Sequence, residues 1–223
     1  METETQINEG RNAVYLYGMV VSTPSAPHEF YGEGFYELQM SVKRLSSIVD
    51  IIPVTMPKAL IEKHKIALGS HIAILGEFRS YNKIENNRSR LMLSVFVNAL
   101  DTEINEDNPN TVELSGYICK MPVYRTTPFN REIADLLVAV NREHAKTDYL
   151  PAIAWGRNAR FAKAMNVGDR INILGRIQSR EYQKKLDNGM TETRVAYEIS
   201  VNRMSPDAFE SQIGDTDFIV ENQ

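Results

Sequence analysis

The 223-residue sequence has a single cysteine and no long apolar run. Because a disulfide needs two thiols, Cys119 can form none within the chain, which is typical of a reducing compartment. No stretch approaches the roughly 20 apolar residues that a membrane-spanning helix needs, and no basic segment followed by an apolar one opens the sequence. We therefore expect a cytoplasmic protein that has no contact with a membrane.

The residue patterns of common catalytic and metal sites are also missing. There is no phosphate-binding loop ending in Gly-Lys-Ser/Thr, and no pair of histidines has the i, i+4 spacing of a helical zinc site. No Ser/His/Asp or Cys/His arrangement can be inferred from the spacings. The four histidines are scattered along the chain: His28, His64, His71 and His144. We therefore expect neither catalysis nor a cofactor, and no bound metal.

Charge is distributed unevenly, although the formal net charge is only −4. Residues 111–204 contain 15 lysines and arginines against 10 acidic residues, whereas residues 205–223 contain five acidic residues and no basic one. A basic block beside an acidic tail is typical of a chain of which one part meets phosphate groups. A solvated surface with a chance excess of base would give the same count, so charge alone does not decide.

The sequence repeats one pattern at a spacing of nearly 100 residues. The longest match pairs LGSHIAILG at residues 68–76 with VGDRINILG at residues 167–175. Three shorter matches follow the same order, pairing 15–18 with 113–116, 52–53 with 150–151, and 97–100 with 201–204. The repeat predicts a domain at residues 1–104, a second copy at 111–204, and an acidic flexible tail at 205–223.

Each copy has the pattern of five strands with a short helix between the third and the fourth, which is the element order of an OB-fold barrel. We therefore predict an all-β protein of two tandem OB-fold five-stranded barrels and a disordered acidic C-terminal tail. The strands of the first copy are predicted at 13–22, 35–44, 48–56, 70–79 and 90–99, with a helix at 57–65. Those of the second are predicted at 112–120, 133–141, 148–155, 170–182 and 193–203, with a helix at 158–165.

The fourth predicted strand of the second copy has the composition of a surface for single-stranded nucleic acid. Because successive side chains of a strand point to opposite faces, Arg176, Arg180 and Tyr182 share one face, and Lys184 follows at the same spacing. Arginines neutralise phosphates, and aromatic rings stack on unpaired bases with roughly 1–3 kcal/mol per base. This combination favours DNA binding over a merely solvated polar face.

The third predicted strand of the second copy adds two rings, Tyr149 and Trp155, which share one face and precede Arg157. For both rings, a place in the barrel core and a role as a base platform are about equally balanced. The first copy keeps a cation and a ring only at Arg79 and Tyr81. We therefore expect the first copy to bind weakly or to serve assembly.

Two segments of the second copy resemble the bacterial single-stranded-DNA-binding protein family. Residues 141–157 look like the third-strand signature of the family, and residues 168–182 resemble its fourth strand. The resemblance covers essentially all of 112–204, whereas the first copy resembles the family mainly by position and is diverged. It places stacking rings at Tyr149, Trp155 and Tyr182, and backbone contacts near Arg142, Arg157, Arg176 and Arg180.

The family resemblance also implies binding without base preference and four barrels per working unit, which a homodimer of this chain would supply. Family tails end in Ile-Pro-Phe, but here Phe218-Ile219-Val220 is followed by Glu221-Asn222-Gln223. Recruitment of replication or repair proteins by the tail, and its competition with DNA for the basic groove, both stay open.

We therefore predict a protein that binds single-stranded DNA and protects it during replication, recombination or repair. The alternative is an OB-fold protein-interaction adaptor in a replication or mobile-element complex, with weak DNA binding. The acidic first copy and the atypical tail motivate this alternative.

Overall fold

The chain folds into β-strands joined by short connections. A computed structural model describes residues 11–25, 28–30, 33–85, 88–142, 146–185, 189–207 and 212–213. Within these ranges there are twelve strands and two helices, and neither helix is long enough to cross a bilayer. Most of the tail that we predicted to be disordered lies outside the described residues.

Both barrels follow the predicted order of elements. The first contains β1 (Asn12–Val20), β2 (His28–Phe30), β3 (Glu33–Lys43), β4 (Val49–Pro57), α1 (Lys58–His64), β5 (His71–Glu85) and β6 (Arg88–Asp101). The second contains β7 (Asn110–Ile118), β8 (Val123–Thr126), β9 (Glu132–Arg142), β10 (Lys146–Trp155), α2 (Arg157–Lys163), β11 (Arg170–Lys185) and β12 (Thr191–Ser205). The short strands β2 and β8 were not predicted, because three or four residues are too few for a pattern of alternation.

Alternation along β11 builds the core of the second barrel. Ile171, Ile173 and Ile177 are buried, and each such side chain contributes about 1.5–3 kcal/mol of hydrophobic stabilisation. The two glycines that end the longest repeated segment are required by the packing of the strands. Gly76 and Gly175 lie at the register shifts of β5 with β6 and of β11 with β12, where a Cβ would collide with a backbone carbonyl of the partner strand.

The two barrels are joined edge to edge. Strand β1 pairs antiparallel with β7, from Asn12 opposite Leu114 to Leu16 opposite Asn110. This pairing merges both barrels into one sheet of twelve strands among the described residues. Val14 lies opposite its repeat-equivalent Val112, so the barrels are related by an approximate two-fold axis through this pair.

The described part of the tail lies against the outer face of the central strands. Ile213 is buried and packs with Tyr15 and Ala73. The backbone N–H groups of Gln212 and Ile213 donate to the Glu113 carboxylate at 2.5 and 3.1 Å. These contacts tie residues 212–213 to the junction of the two barrels.

Candidate nucleic-acid interface

The two rings of β10 lie on the protein surface. Trp155 is 38% exposed and Tyr149 is 46% exposed, whereas Leu150 and Ala154, on the opposite face of the strand, are buried. The alternative of a core position is therefore wrong for both rings. Their alternation follows from the ladder with β9, which continues without interruption from Lys146 to Trp155.

The predicted cation Arg157 follows Trp155 at the first position of α2 and is exposed. Between them, Gly156 has a φ of +52°, a backbone region that glycine adopts without strain. The sharp turn at Gly156 lets the strand end and the helix begin within one residue. It therefore keeps Trp155 and Arg157 close to each other at the same end of the barrel.

The outer part of β11 extends the same surface. Its side chains from Arg180 to Lys185 are all exposed, and those of Arg180, Tyr182 and Lys184 share one face. The Arg180 guanidinium carbon lies 5.9 Å from the centroid of the Tyr182 ring, and its Nε lies 3.7 Å from Glu198 Oε1. Glu198 is buried, but it also accepts a hydrogen bond from Gln178 Nε2 at 2.8 Å, so the exposed Arg180 can turn to a phosphate without leaving Glu198 unpartnered.

Arg142 has a structural partner that the sequence did not reveal. Its Nε lies 2.9 Å from Oδ2 of the buried Asp148, without the geometry of a hydrogen bond. The same carboxylate accepts hydrogen bonds from Ser80 of the other barrel, from N at 2.7 Å and from Oγ at 3.2 Å. Burial raises the pKa of Asp148, and the contacts with Ser80 and Arg142 offset this only in part. We call Arg142, Asp148 and Ser80 the Asp148 clamp.

The repeat-equivalent contact, the Asp50 clamp, consists of Arg44, Asp50 and Ser179. Arg44 donates two hydrogen bonds to the buried Asp50 carboxylate, at 2.7 and 2.8 Å. Ser179 of the second barrel donates from N at 2.7 Å and from Oγ at 3.0 Å. Burial raises the pKa of Asp50, but the hydrogen bonds from Arg44 and Ser179 outweigh it, so the net pKa is lowered. Arg176, predicted to contact DNA, lies beside this clamp with Nη1 3.8 Å from Asp50 Oδ2.

The predicted residues of the first barrel are held by their own neighbours. Arg79 lies over the Phe96 ring at 4.9 Å and pairs with Glu77 at 2.8 Å. The Tyr81 hydroxyl donates to Glu37 at 3.0 Å. Burial, together with the Glu37 carboxylate, raises the pKa of Tyr81 to about 12. Arg79 and Tyr81 are therefore less available to a ligand than Arg180 and Tyr182.

A groove of about 660 Å³ lies between the barrels and brings together residues that the sequence assigned to separate copies. Tyr81 of the first barrel and Tyr182 of the second both line it. Arg194 and Tyr197 of β12 also line the groove, and sequence reasoning missed them. The available signal was the hairpin of β11 and β12, which places Arg194 opposite Tyr182.

Among the side chains that the structure describes, no three His, Cys, Asp or Glu residues are grouped so that they could hold an ion. The surface formed by Tyr149, Trp155, Arg157, Arg180, Tyr182 and Lys184, which we call the β10–β11 surface, therefore offers rings and cations rather than metal ligands.

Residues 109–207 match the model of the Single-strand binding protein family. The match covers the second barrel, which is therefore similar to members of this family. A single-stranded DNA-binding protein of Clostridium tetani is 35% identical over 83 residues, which are 34% of this chain and 57% of that relative. Single-stranded DNA-binding protein 1 of Lactococcus lactis is 31% identical over 93 residues, or 39% of this chain and 62% of the relative. The chain thus spans about three fifths of the length of these curated relatives.

A solved structure extends the likeness to the first barrel. The wild-type single-stranded DNA binding protein from Thermus aquaticus superposes with a TM-score of 0.69 and 19% sequence identity. The superposition covers 92% of this chain and 98% of that one. At this identity the likeness shows the fold alone, and the prediction of two tandem OB-fold barrels is confirmed.

Proposed function

We propose that the protein binds single-stranded DNA, largely without sequence preference, and protects it during DNA replication, recombination or repair. The observation that carries this proposal is the β10–β11 surface, where exposed rings alternate with exposed cations. Stacking contributes roughly 1–3 kcal/mol per base and does not discriminate among bases, and arginines neutralise the phosphates. The names of the Clostridium and Lactococcus relatives support the same function.

The proposed division of labour follows the proposed domains. Residues 111–204 are the principal DNA-binding domain, residues 1–104 are a diverged barrel, and residues 205–223 are an acidic tail. Arg142 contributes to the electrostatic field of the interface from within the Asp148 clamp, and Arg176 is a candidate contact to the DNA backbone beside the Asp50 clamp. Arg79 and Tyr81 are secondary contacts, because their neighbours already hold them.

We also propose that the working unit is a homodimer, which would contain four barrels, and that it acts in the cytoplasm without catalysis. Support comes from the family resemblance of the second barrel. Light scattering of the full chain tests the dimer, since a mass of one chain would refute it. Recruitment of replication or repair proteins by the tail stays a prediction.

Trp155 offers a direct test of the DNA-binding proposal because it is the single tryptophan of the sequence. Titration with oligo-dT should quench its fluorescence, since a base stacked face to face on the excited indole opens a non-radiative path of decay. Trp155→Ala should weaken binding of a labelled oligo-dT by roughly 1–3 kcal/mol. An absence of binding at micromolar protein would refute the function, whereas tight binding without quenching would refute only the role of Trp155.

One observation favours the adaptor as a second candidate function. The connection of β3 to β4 and the start of β4 expose an apolar series, in which Leu45 is 85%, Ile48 is 52% and Val49 is 42% exposed. Contiguous exposed apolar side chains are typical of protein contacts. If oligo-dT does not bind, loss of self-association or of partner binding in Leu45→Ser would favour the adaptor.

A further inference from the structure

A second, smaller cleft of about 320 Å³ lies at the Asp50 clamp. Its lining includes Lys43 and Arg44 of the first barrel and Arg176 of the second. Asn108, from the segment that connects the barrels, and Asn110, the first residue of β7, complete it on one side. The cleft is therefore composite, because neither barrel alone brings these three cations together.

The contacts of Asp50 show which cation has an unused donor. Both carboxylate oxygens receive hydrogen bonds from Arg44, and Ser179 adds two more, so Arg44 already compensates the buried charge. Arg176 Nη1 lies at 3.8 Å from Asp50, beyond hydrogen-bond distance. This nitrogen is buried and has no hydrogen-bond partner among the described residues. A buried donor without an acceptor destabilises the folded chain, and a ligand that accepts from it would remove that penalty.

The charge of the cleft favours an anionic ligand. Lys43, Arg44 and Arg176 face two carboxylates, those of Asp50 and of the exposed Asp107 at the rim. The cations therefore exceed the carboxylates by one positive charge, and the guanidinium groups of Arg44 and Arg176 repel each other. Burial lowers the pKa of Arg176, and the neighbouring Arg44 lowers it further. An anion between the barrels would relieve both effects.

The approximate two-fold axis supplies an internal comparison. At the Asp148 clamp, Glu77 occupies the position equivalent to Arg176, and it pairs with Arg79 at 2.8 Å. Asn141 stands there in place of Lys43. Only the Asp50 clamp therefore carries surplus positive charge, although both clamps have the same backbone. The difference in charge comes from Arg176 and Lys43, which lie beside the Asp50 clamp and do not belong to it.

We propose that this cleft binds a phosphodiester group of single-stranded DNA, held jointly by Arg176 of the second barrel and Lys43 of the first. The planar guanidinium of Arg176 can donate to two phosphate oxygens, and Lys43 adds a flexible point charge from the exposed rim. A strand bound on the second barrel crosses onto the first at this point. The inference rests on the proposed function and assigns a place where both barrels share one contact.

The test is a double-mutant cycle on the full chain, with labelled oligo-dT titrated at several salt concentrations. Lys43→Gln and Arg176→Gln should each weaken binding several-fold, and Arg176→Gln should lower the slope of log K against log salt by about 0.7. Because both side chains hold one phosphate, Lys43→Gln should have little further effect in the Arg176→Gln background. Additive losses would overturn the shared contact.

Lys63→Gln is the matched control, because it removes the same charge from the exposed surface of α1, outside the cleft. It should bind like the parent. If the parent itself does not bind oligo-dT, the proposed function fails. If the parent binds and Lys43→Gln behaves like Lys63→Gln, the function stands and the cleft inference fails. Lys43 is exposed, so its variant keeps the test valid even if Arg176→Gln unfolds.

Discussion

The first barrel carries Ile51, Pro57 and Glu77 at the positions where the second carries Tyr149, Trp155 and Arg176. Both barrels nevertheless share the order of strands, the helix after the third barrel strand and the glycine at the register shift. Core positions of a barrel tolerate little change, since a gap or a collision costs stability. Exposed positions have no such restriction, so the same backbone presents rings and cations in one copy and, at the matching positions, aliphatic and acidic side chains in the other.

The two clamps consist of equivalent residues, but they differ in the geometry of the contact between arginine and aspartate. Arg44 meets Asp50 with two directed hydrogen bonds, whereas Arg142 meets Asp148 in an ion pair without hydrogen-bond geometry. Consequently the pKa of Asp50 is lowered and the pKa of Asp148 is raised, although both carboxylates are buried and both accept from a serine of the other barrel. The Asp50 clamp is therefore the stronger electrostatic link between the barrels.

The largest expected effect concerns stability. Asp50→Ala removes a buried carboxylate and leaves two arginines facing each other, so we expect a loss of about 3 kcal/mol in the free energy of unfolding. Asp148→Ala should cost clearly less, because its carboxylate is poorly compensated while ionised. Urea unfolding followed by circular dichroism measures both values. Equal losses would contradict the difference between the clamps.

The next effect concerns DNA affinity and exchanges matching residues. Tyr149→Ile gives the second barrel the residue of the first, and it should weaken oligo-dT binding by roughly 1–3 kcal/mol because a stacking ring is lost. Ile51→Tyr is the reverse exchange at an exposed position, and it should strengthen binding or leave it unchanged. Fluorescence anisotropy measures both affinities. Unchanged or tighter binding by the Tyr149→Ile variant would show that the difference between the barrels does not lie in the rings.

The smallest effect is the dependence of stability on pH. The lowered pKa of Asp50 means that its contribution is present above the unfolded value of about 4 and is lost as the pH falls through the lower folded value. The raised pKa of Asp148 acts oppositely, since its favourable contribution is lost as the pH rises through the folded value. Thermal unfolding between acid and neutral pH should therefore show a shallower acid loss in Asp50→Ala and a steeper one in Asp148→Ala. The same profile in both variants would refute this assignment.

Much of the fold could be predicted because its signals are local. Alternation along Ile171, Ile173 and Ile177 identified a barrel strand, and the repeat transferred that assignment to the first copy. The same alternation placed Tyr149 and Trp155 on one face, but it could not decide between core and surface. That decision depends on which face of β10 the rest of the barrel covers, which is a property of the closed sheet.

The linear order of residues thus specifies two barrels, their strands, the short helices and the uneven distribution of rings and charge between the copies. It contains no local trace of the pairing of β1 with β7, of Asp50 with Ser179, or of Asp148 with Ser80. These partners lie between 68 and 129 residues apart in the clamps, and they meet only when two completed barrels dock. Docking brings each serine to the buried carboxylate of the other barrel and creates the composite cleft, because charge and burial at an interface depend on both surfaces together.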